Sequence, residues 1–157
     1  MSASHEQSGW IRDPGQHYEV SRVKIAEFAE AIGDPNPVYR DRAAARQAGY
    51  LDVIAPPTFA VVVVMPASIA ATRNALPDTA SSVVVHVEQS FHYARPIRAG
   101  DELHAESLVT GIRDMRRSMV VTTRTDVRTA EGEHVCTAYV TLAALPEGGR
   151  DEPSRNA

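Results

Sequence analysis

Residues Pro56 to Leu76 read PPTFAVVVVMPASIAATRNAL, and whether they form a strand or a helix decides the fold. The run Val61 to Val64 favours a strand, because β-branched side chains suit a pleated surface. The leading prolines, the alanines that follow and a length of about 20 residues favour a helix with proline at its start. Length decides for the helix. Pro66 is expected to kink it, and its near-uniform apolarity predicts a helix wrapped on most sides.

Downstream the periodicity changes. Val83 to Tyr93, Glu102 to Ile112, Ser118 to Arg128 and His134 to Leu145 read as strands, separated by the turn signals Arg98-Ala-Gly-Asp101 and Ala130-Glu-Gly-Glu133. Upstream, Ser21 is a cap for a helix whose apolar positions Val23, Ile25, Ala26, Phe28, Ala29 and Ile32 keep helical spacing up to Gly33. After the turn Asp34-Pro-Asn-Pro37, Asp41 to Ala48 reads as a second short helix that Gly49 ends. Helices first and an antiparallel meander afterwards predict an α+β domain, its sheet packed on the apolar helix. Residues 1–14 and 146–157 read as flexible tails around a domain at 15–145, with no internal repeat and no linker inside it.

Composition narrows the function. A chain of 157 residues with 43% hydrophobic and 23% charged residues matches one soluble globular domain. A formal charge of -4 argues against nucleic acid as a partner. The most apolar stretch falls short of the roughly 20 residues that cross a bilayer, so no membrane span is expected. The N-terminus lacks the basic start and apolar run of a signal peptide, and the lone Cys136 has no internal disulfide partner, so a cytoplasmic protein is expected.

Three stretches in this order carry a resemblance: Phe28-Ala-Glu-Ala-Ile-Gly-Asp-Pro-Asn-Pro-Val38, Asp52-Val-Ile-Ala-Pro-Pro-Thr-Phe59 and Phe91-His-Tyr-Ala-Arg-Pro-Ile-Arg-Ala-Gly-Asp101. They resemble the hydratase motif, the central-helix entry and the strand corner of the MaoC-like (R)-specific hydratases and dehydratases. The resemblance implies a hot-dog fold, an antiparallel sheet wrapped around a central apolar helix. It also implies a hydro-lyase that adds or removes water at the double bond of an acyl thioester.

Active members use an Asp and a His flanking the Asn-Pro of the motif. Water addition needs groups that exchange protons near neutral pH within reach of one water-sized site. The thioester oxygen needs an N–H donor, which the family places at the start of the buried helix. Mapped by the resemblance, Asp34 matches the acid and Asn36-Pro37 the turn, but Tyr39 stands where the family has histidine. A free phenol, with a pKa of about 10, is a poor base at neutral pH. Pro57 occupies a position commonly glycine, and it has no N–H to offer an oxyanion.

The pattern is similar to the accessory subunits of heterodimeric (3R)-hydroxyacyl-thioester dehydratases. That likeness implies a subunit that shapes the acyl pocket while a MaoC-like partner supplies Asp and His, the two sheets joining edge to edge. The alternatives are a self-sufficient homodimer using Asp34 with Tyr39 or a strand histidine, and a non-catalytic hot dog that only binds an acyl thioester. No cofactor is expected beyond the coenzyme A or acyl-carrier-protein phosphopantetheine that carries the substrate. Carrier protein itself is a further candidate partner.

Asn36, Thr58, Phe59, Val62, Met65 and Gln89 are the candidate substrate-binding residues, although these residue types suit a packed core equally well. His86 and His92 share a parity on one strand with Glu88 between them and are candidates for the missing base; a plain exposed strand face accounts for them better. No spacing resembles a metal site. Cys136 reads as a small buried apolar residue. Arg95, Arg98, Arg113, Arg116 and Arg117 offer positive charge to an acidic carrier or a phosphate, and a solvated strand face explains them equally well.

Overall fold

A computed structural model describes residues 11–76, 82–115 and 118–145, with side chains from residue 17 onward. Strand β1 (Ile11–Glu19) leads into helix α1 (Arg22–Ala31), a 3-10 turn (Pro37–Tyr39), the short helix α2 (Arg42–Gln47) and the long helix α3 (Val61–Ala75). The chain then folds into β2 (Val83–Tyr93), β3 (Glu102–Met115), β4 (Ser118–Thr129) and β5 (His134–Leu145). All pairings are antiparallel, in the order β1-β3-β4-β5-β2. β1 corrects the expected tail at 1–14, because residues 11–14 already belong to a strand that pairs with β3. The rest of that tail and the one at 146–157 lie outside the described residues.

The residues of α3 settle the ambiguity of its sequence. Val63, Val64, Ala67, Ser68, Ala71 and Thr72 are buried, a stripe that recurs every three to four positions and makes one helical face. That face packs on β3, β4, β1 and, least, β5. Its polar members are answered: Ser68 Oγ meets Thr125 Oγ1 at 3.2 Å, Thr125 meets Ser107 Oγ at 2.6 Å, and Thr72 Oγ1 donates to the Ser68 carbonyl at 2.8 Å. The buried hydroxyls therefore carry little desolvation penalty. The sheet wraps α3 on this face, while Val61, Val62, Met65 and Ile69 on the other remain half-buried, so the helix is covered less evenly than its near-uniform apolarity predicts. The helix also starts at Val61 and not at the prolines. Residues 56–60 form a turn in which the Phe59 N–H bonds the Pro56 carbonyl at 2.9 Å, so the β-branched run opens the helix.

Two features fix the ends of this scaffold. Ser21 caps α1 through Lys24 N–H at 3.1 Å, and α1 runs out at Ile32, followed by Gly33 at φ 70. At the corner after β2, Arg95 forks across two carboxylates, Asp101 at 2.8 and 3.0 Å and Glu133 at 2.9 and 3.0 Å. Asp101, nearly enclosed, also accepts the Arg98 N–H at 3.0 Å. This corner holds the approach to α3, since Ala55 N–H bonds the Ile97 carbonyl at 2.7 Å.

Candidate active site

The turn after α1 is built by its own side chains. Asp34 Oδ1 accepts the Asn36 N–H at 3.0 Å, and Asn36 Oδ1 accepts the Val38 N–H at 3.2 Å, capping the 3-10 turn that Pro37 opens. That turn swings Tyr39 into the core, where it is 7% exposed. Its phenol lies close enough to the Asp34 carboxylate to interact with it. Burial first, then the charge and hydrogen bond of Asp34 and the nearby Tyr50, push the Tyr39 pKa above the ordinary phenol value. Raising a phenol's pKa keeps its proton on at neutral pH, so Tyr39 is a hydrogen-bond donor there and not a base. Asp34 and Tyr39 are thus brought together, while Asn36 is a turn cap exposed to solvent.

The helix entry is tied down from three sides. Asp52 takes a bidentate fork from Arg22 at 3.0 and 2.7 Å and a second guanidinium, Arg42, at 3.4 Å. The Arg22 hydrogen bond holds the Asp52 carboxyl far below the usual carboxylate range, so it stays ionised. Tyr93 donates from its hydroxyl to the Pro57 carbonyl at 2.7 Å, fixing the turn that has no N–H at residue 57. Burial, chiefly, raises the Tyr93 pKa. Sequence reasoning missed Tyr93, whose only signal was its inward parity at the end of a strand.

The pocket candidates divide. Phe59, expected in the lining, is wholly enclosed in the core, edge-on to Phe28 at 5.3 Å and to Tyr18 at 6.3 Å between ring centroids. Thr58 is exposed at the head of α3. Val62 and Met65 line a groove of about 520 Å³ along the open face of α3, together with Val61, Pro66, Ile69 and, at its far end, Arg73. Ile69 and Arg73 were missed from the sequence, although their spacing of four from Met65 is the signal that sets all three on one helical face. Gln89 is half-buried on the inner face of β2, and its Oε1 is enclosed without a hydrogen-bond partner among the described residues.

The strand histidines do not act as a pair. A bulge at Val87 shifts the register, so His86 lies opposite Leu142 while Glu88 lies opposite Thr141. Leu142 is buried on the inner face and Thr141 lies on the outer one. His86 is therefore on the inner side and His92, stacked edge-on against Tyr139, on the outer side, which corrects the expected shared parity. Of the arginines read as a charge patch, Arg95 and Arg98 are held by Asp101, and Arg95 by Glu133 as well. Arg113 is exposed, while Arg116 and Arg117 lie outside the described side chains. Cys136 is enclosed, and burial pushes its thiol up to about 11. Among the described residues no helix is long and apolar enough to cross a membrane.

A curled antiparallel sheet on a central helix, preceded by this turn, defines a hot-dog domain of the MaoC-like hydratase and dehydratase kind. The chain belongs to the family described as the FAS1-like dehydratase domain region, whose model matches residues 7–138. It is 47% identical over 131 residues to a UPF0336 protein of Streptomyces avermitilis, covering 83% of this chain and 87% of that one. It is 41% identical over 142 residues to a UPF0336 protein of Thermobifida fusca, covering 90% and 93%. Among solved structures, it is similar to a chain of the C-terminally truncated HadBC (3R-hydroxyacyl-ACP dehydratase) complex from Mycobacterium tuberculosis, with TM-score 0.75 and 28% identity over 87% of this chain and 95% of that one. The (R)-hydratase from A. caviae shares the fold at TM-score 0.65 and 23% identity, covering 92% of this chain and all of that one.

Proposed function

We propose that this chain is the acyl-binding subunit of a (3R)-3-hydroxyacyl-thioester dehydratase or enoyl-thioester hydratase, and that a MaoC-like hot-dog partner supplies the Asp and His that move protons. The observation that carries this reading is Tyr39. A buried phenol that keeps its proton at neutral pH stands at the position where, by the resemblance, active members carry the histidine. The residues of the open groove support the other half of the role. Val61, Val62, Met65 and Ile69 offer an apolar wall for an acyl tail, and the unanswered Gln89 Oε1 suits an N–H such as a pantetheine amide or a partner's backbone. Likeness to a chain of a complex named as a 3R-hydroxyacyl-ACP dehydratase supports a heteromeric assembly and a thioester carried on carrier protein or coenzyme A. The free edge of β2 suits edge-to-edge joining of two sheets.

The test is hydration of crotonyl coenzyme A by the purified chain, alone and mixed with a MaoC-like protein encoded beside it. The proposal expects activity in the mixture well above that of the companion alone, and none from this chain by itself. Robust turnover by the lone chain, abolished by Asp34→Ala, would establish the homodimeric enzyme instead. Thioester binding with no turnover in either setting would leave a binding protein.

A further inference from the structure

Where β1 rejoins β3, the edge of the sheet gathers a set of polar side chains that neither the turn nor the groove uses. Beyond the irregularity between Arg12 and His17 the two strands pair again, His17 with His104, Tyr18 with Leu103 and Glu19 with Glu102. Leu103 is enclosed and Tyr18 packs on Phe59 in the core, so the alternate positions His17, Glu19, Glu102 and His104 share the outer face, and all four are exposed. The two imidazole centroids are 5.0 Å apart with the rings tilted by 42°. That is the spacing a shared ion requires: two imidazoles bound to one ion at about 2.0–2.1 Å, with an angle of about 90–110° at the ion, hold their centroids about 4.5–5.2 Å apart. The tilt is neither the offset stack nor the edge-on contact that aromatic pairs prefer, so ring attraction alone does not set it.

Glu102 supplies a second feature of such a site. His17 Nε2 lies 3.1 Å from Glu102 Oε2. A carboxylate only accepts, so the proton of the neutral His17 ring sits on Nε2 and leaves Nδ1 with its lone pair free; histidines that bind metals regularly give their other N–H to a carboxylate in this way. Glu19, across from Glu102, adds negative charge, while Arg128, opposite His104 on β4, gives its guanidinium to the Gly132 carbonyl at 3.2 Å. We propose that His17 and His104 chelate one divalent transition-metal ion of the class that prefers imidazole, such as Zn²⁺, Ni²⁺ or Cu²⁺, with Glu102 bracing His17 and water filling the remaining positions. Among the described residues no three histidine, cysteine, aspartate or glutamate side chains are arranged to hold an ion together, so the chelate has two protein ligands and is weaker than a closed structural site. The ion joins β1 to β3 where their pairing resumes, and its binding therefore staples the edge strand to the sheet. Neither histidine lines the groove of α3, so the site is independent of the function proposed above.

Calorimetric titration of the full chain with Zn²⁺, followed by thermal unfolding with and without the ion, tests this. One ion per chain is expected to bind with a dissociation constant in the micromolar range and to raise the thermal midpoint by a few degrees. Mg²⁺, which takes oxygen ligands, is expected to do neither. His17→Ala and His104→Ala are each expected to weaken Zn²⁺ binding by about tenfold or more, and Glu102→Gln to weaken it less. Both histidines are exposed, so the midpoint without metal should stay near that of the unmodified chain, and His92→Ala, on the same face at the opposite edge, should bind Zn²⁺ normally. No binding of Zn²⁺ at all, binding that survives the loss of either histidine, or an equal response to Mg²⁺ would overturn the proposal.

Discussion

The turn at residues 34–39 and the open face of α3 are the two regions to which the family likeness assigns chemistry, and they are built in opposite ways. In the turn, side chains are answered from within: Asp34 accepts the Asn36 N–H, and Asn36 accepts the Val38 N–H. Along α3, the half-buried Val61, Val62, Met65 and Ile69 line an open groove. A site that performs proton transfer keeps polar groups unspent for the substrate, whereas one that binds a hydrocarbon keeps apolar surface uncovered. On the function proposed above, the difference teaches that the half of the site expected to move protons is occupied by its own contacts, while the half expected to bind the acyl chain keeps apolar surface available.

The comparison is sharpened first at Phe59 and Met65, two apolar side chains near one helix start. Phe59→Ala empties a fully enclosed site and is expected to cost about 3–5 kcal/mol of stability, read from the denaturant midpoint. Met65→Ala, on the half-covered face, is expected to cost clearly less while weakening long-chain thioester use by the assembled enzyme. Equal losses of stability would erase the distinction between core and groove.

Arg95→Ala leaves the nearly enclosed Asp101 without its fork and is expected to destabilise the corner by about 3 kcal/mol. The corner carries the approach to α3, so a normal midpoint would show that it is not what holds the groove in place.

Acid should act on the helix entry in a definite direction. The carboxyl of Asp52 titrates lower in the folded chain than in the unfolded one, so its contribution is present above the unfolded value of about 4 and lost as pH falls through the folded one. Asp52→Asn is therefore expected to narrow the stability gap between pH 5 and acid, with a loss near neutrality of about 1 kcal/mol, because the Arg22 partner is half exposed. Unchanged acid sensitivity in Asp52→Asn would locate the titrating group elsewhere. The smallest effect is expected at Cys136: with its thiol pushed up to about 11 and enclosed, the folded chain should resist a thiol reagent at pH 8 that the unfolded chain consumes readily.

Much of this was legible in the residues. The bounds of β2 and β5, the Ser21 cap and the position of α3 followed from periodicity and turn chemistry. The resemblance alone pointed to Tyr39 as the residue at the motif-histidine position. What was not legible depends on the third dimension. The bulge at Val87 leaves no mark in a run of valines, yet it separates His86 from His92. Phe59 and Met65 are both apolar and both near the head of α3, and only the direction of each side chain assigns one to the core and the other to the groove. β1 escaped notice because residues 1–14 read as a tail; Asp13, Pro14 and Gly15 fall in the irregularity between Arg12 and His17, where this edge strand breaks its register with β3.

The most direct test of the division of labour is kcat of the mixed enzyme in which this chain carries Asp34→Asn and Tyr39→Phe together. Both replacements keep shape, and asparagine can still form the turn. The account predicts kcat within about twofold of the unmodified mixture; a fall of about 10²-fold or more, the scale of a lost general acid or base, would show that this chain's own Asp34 and Tyr39 move the protons.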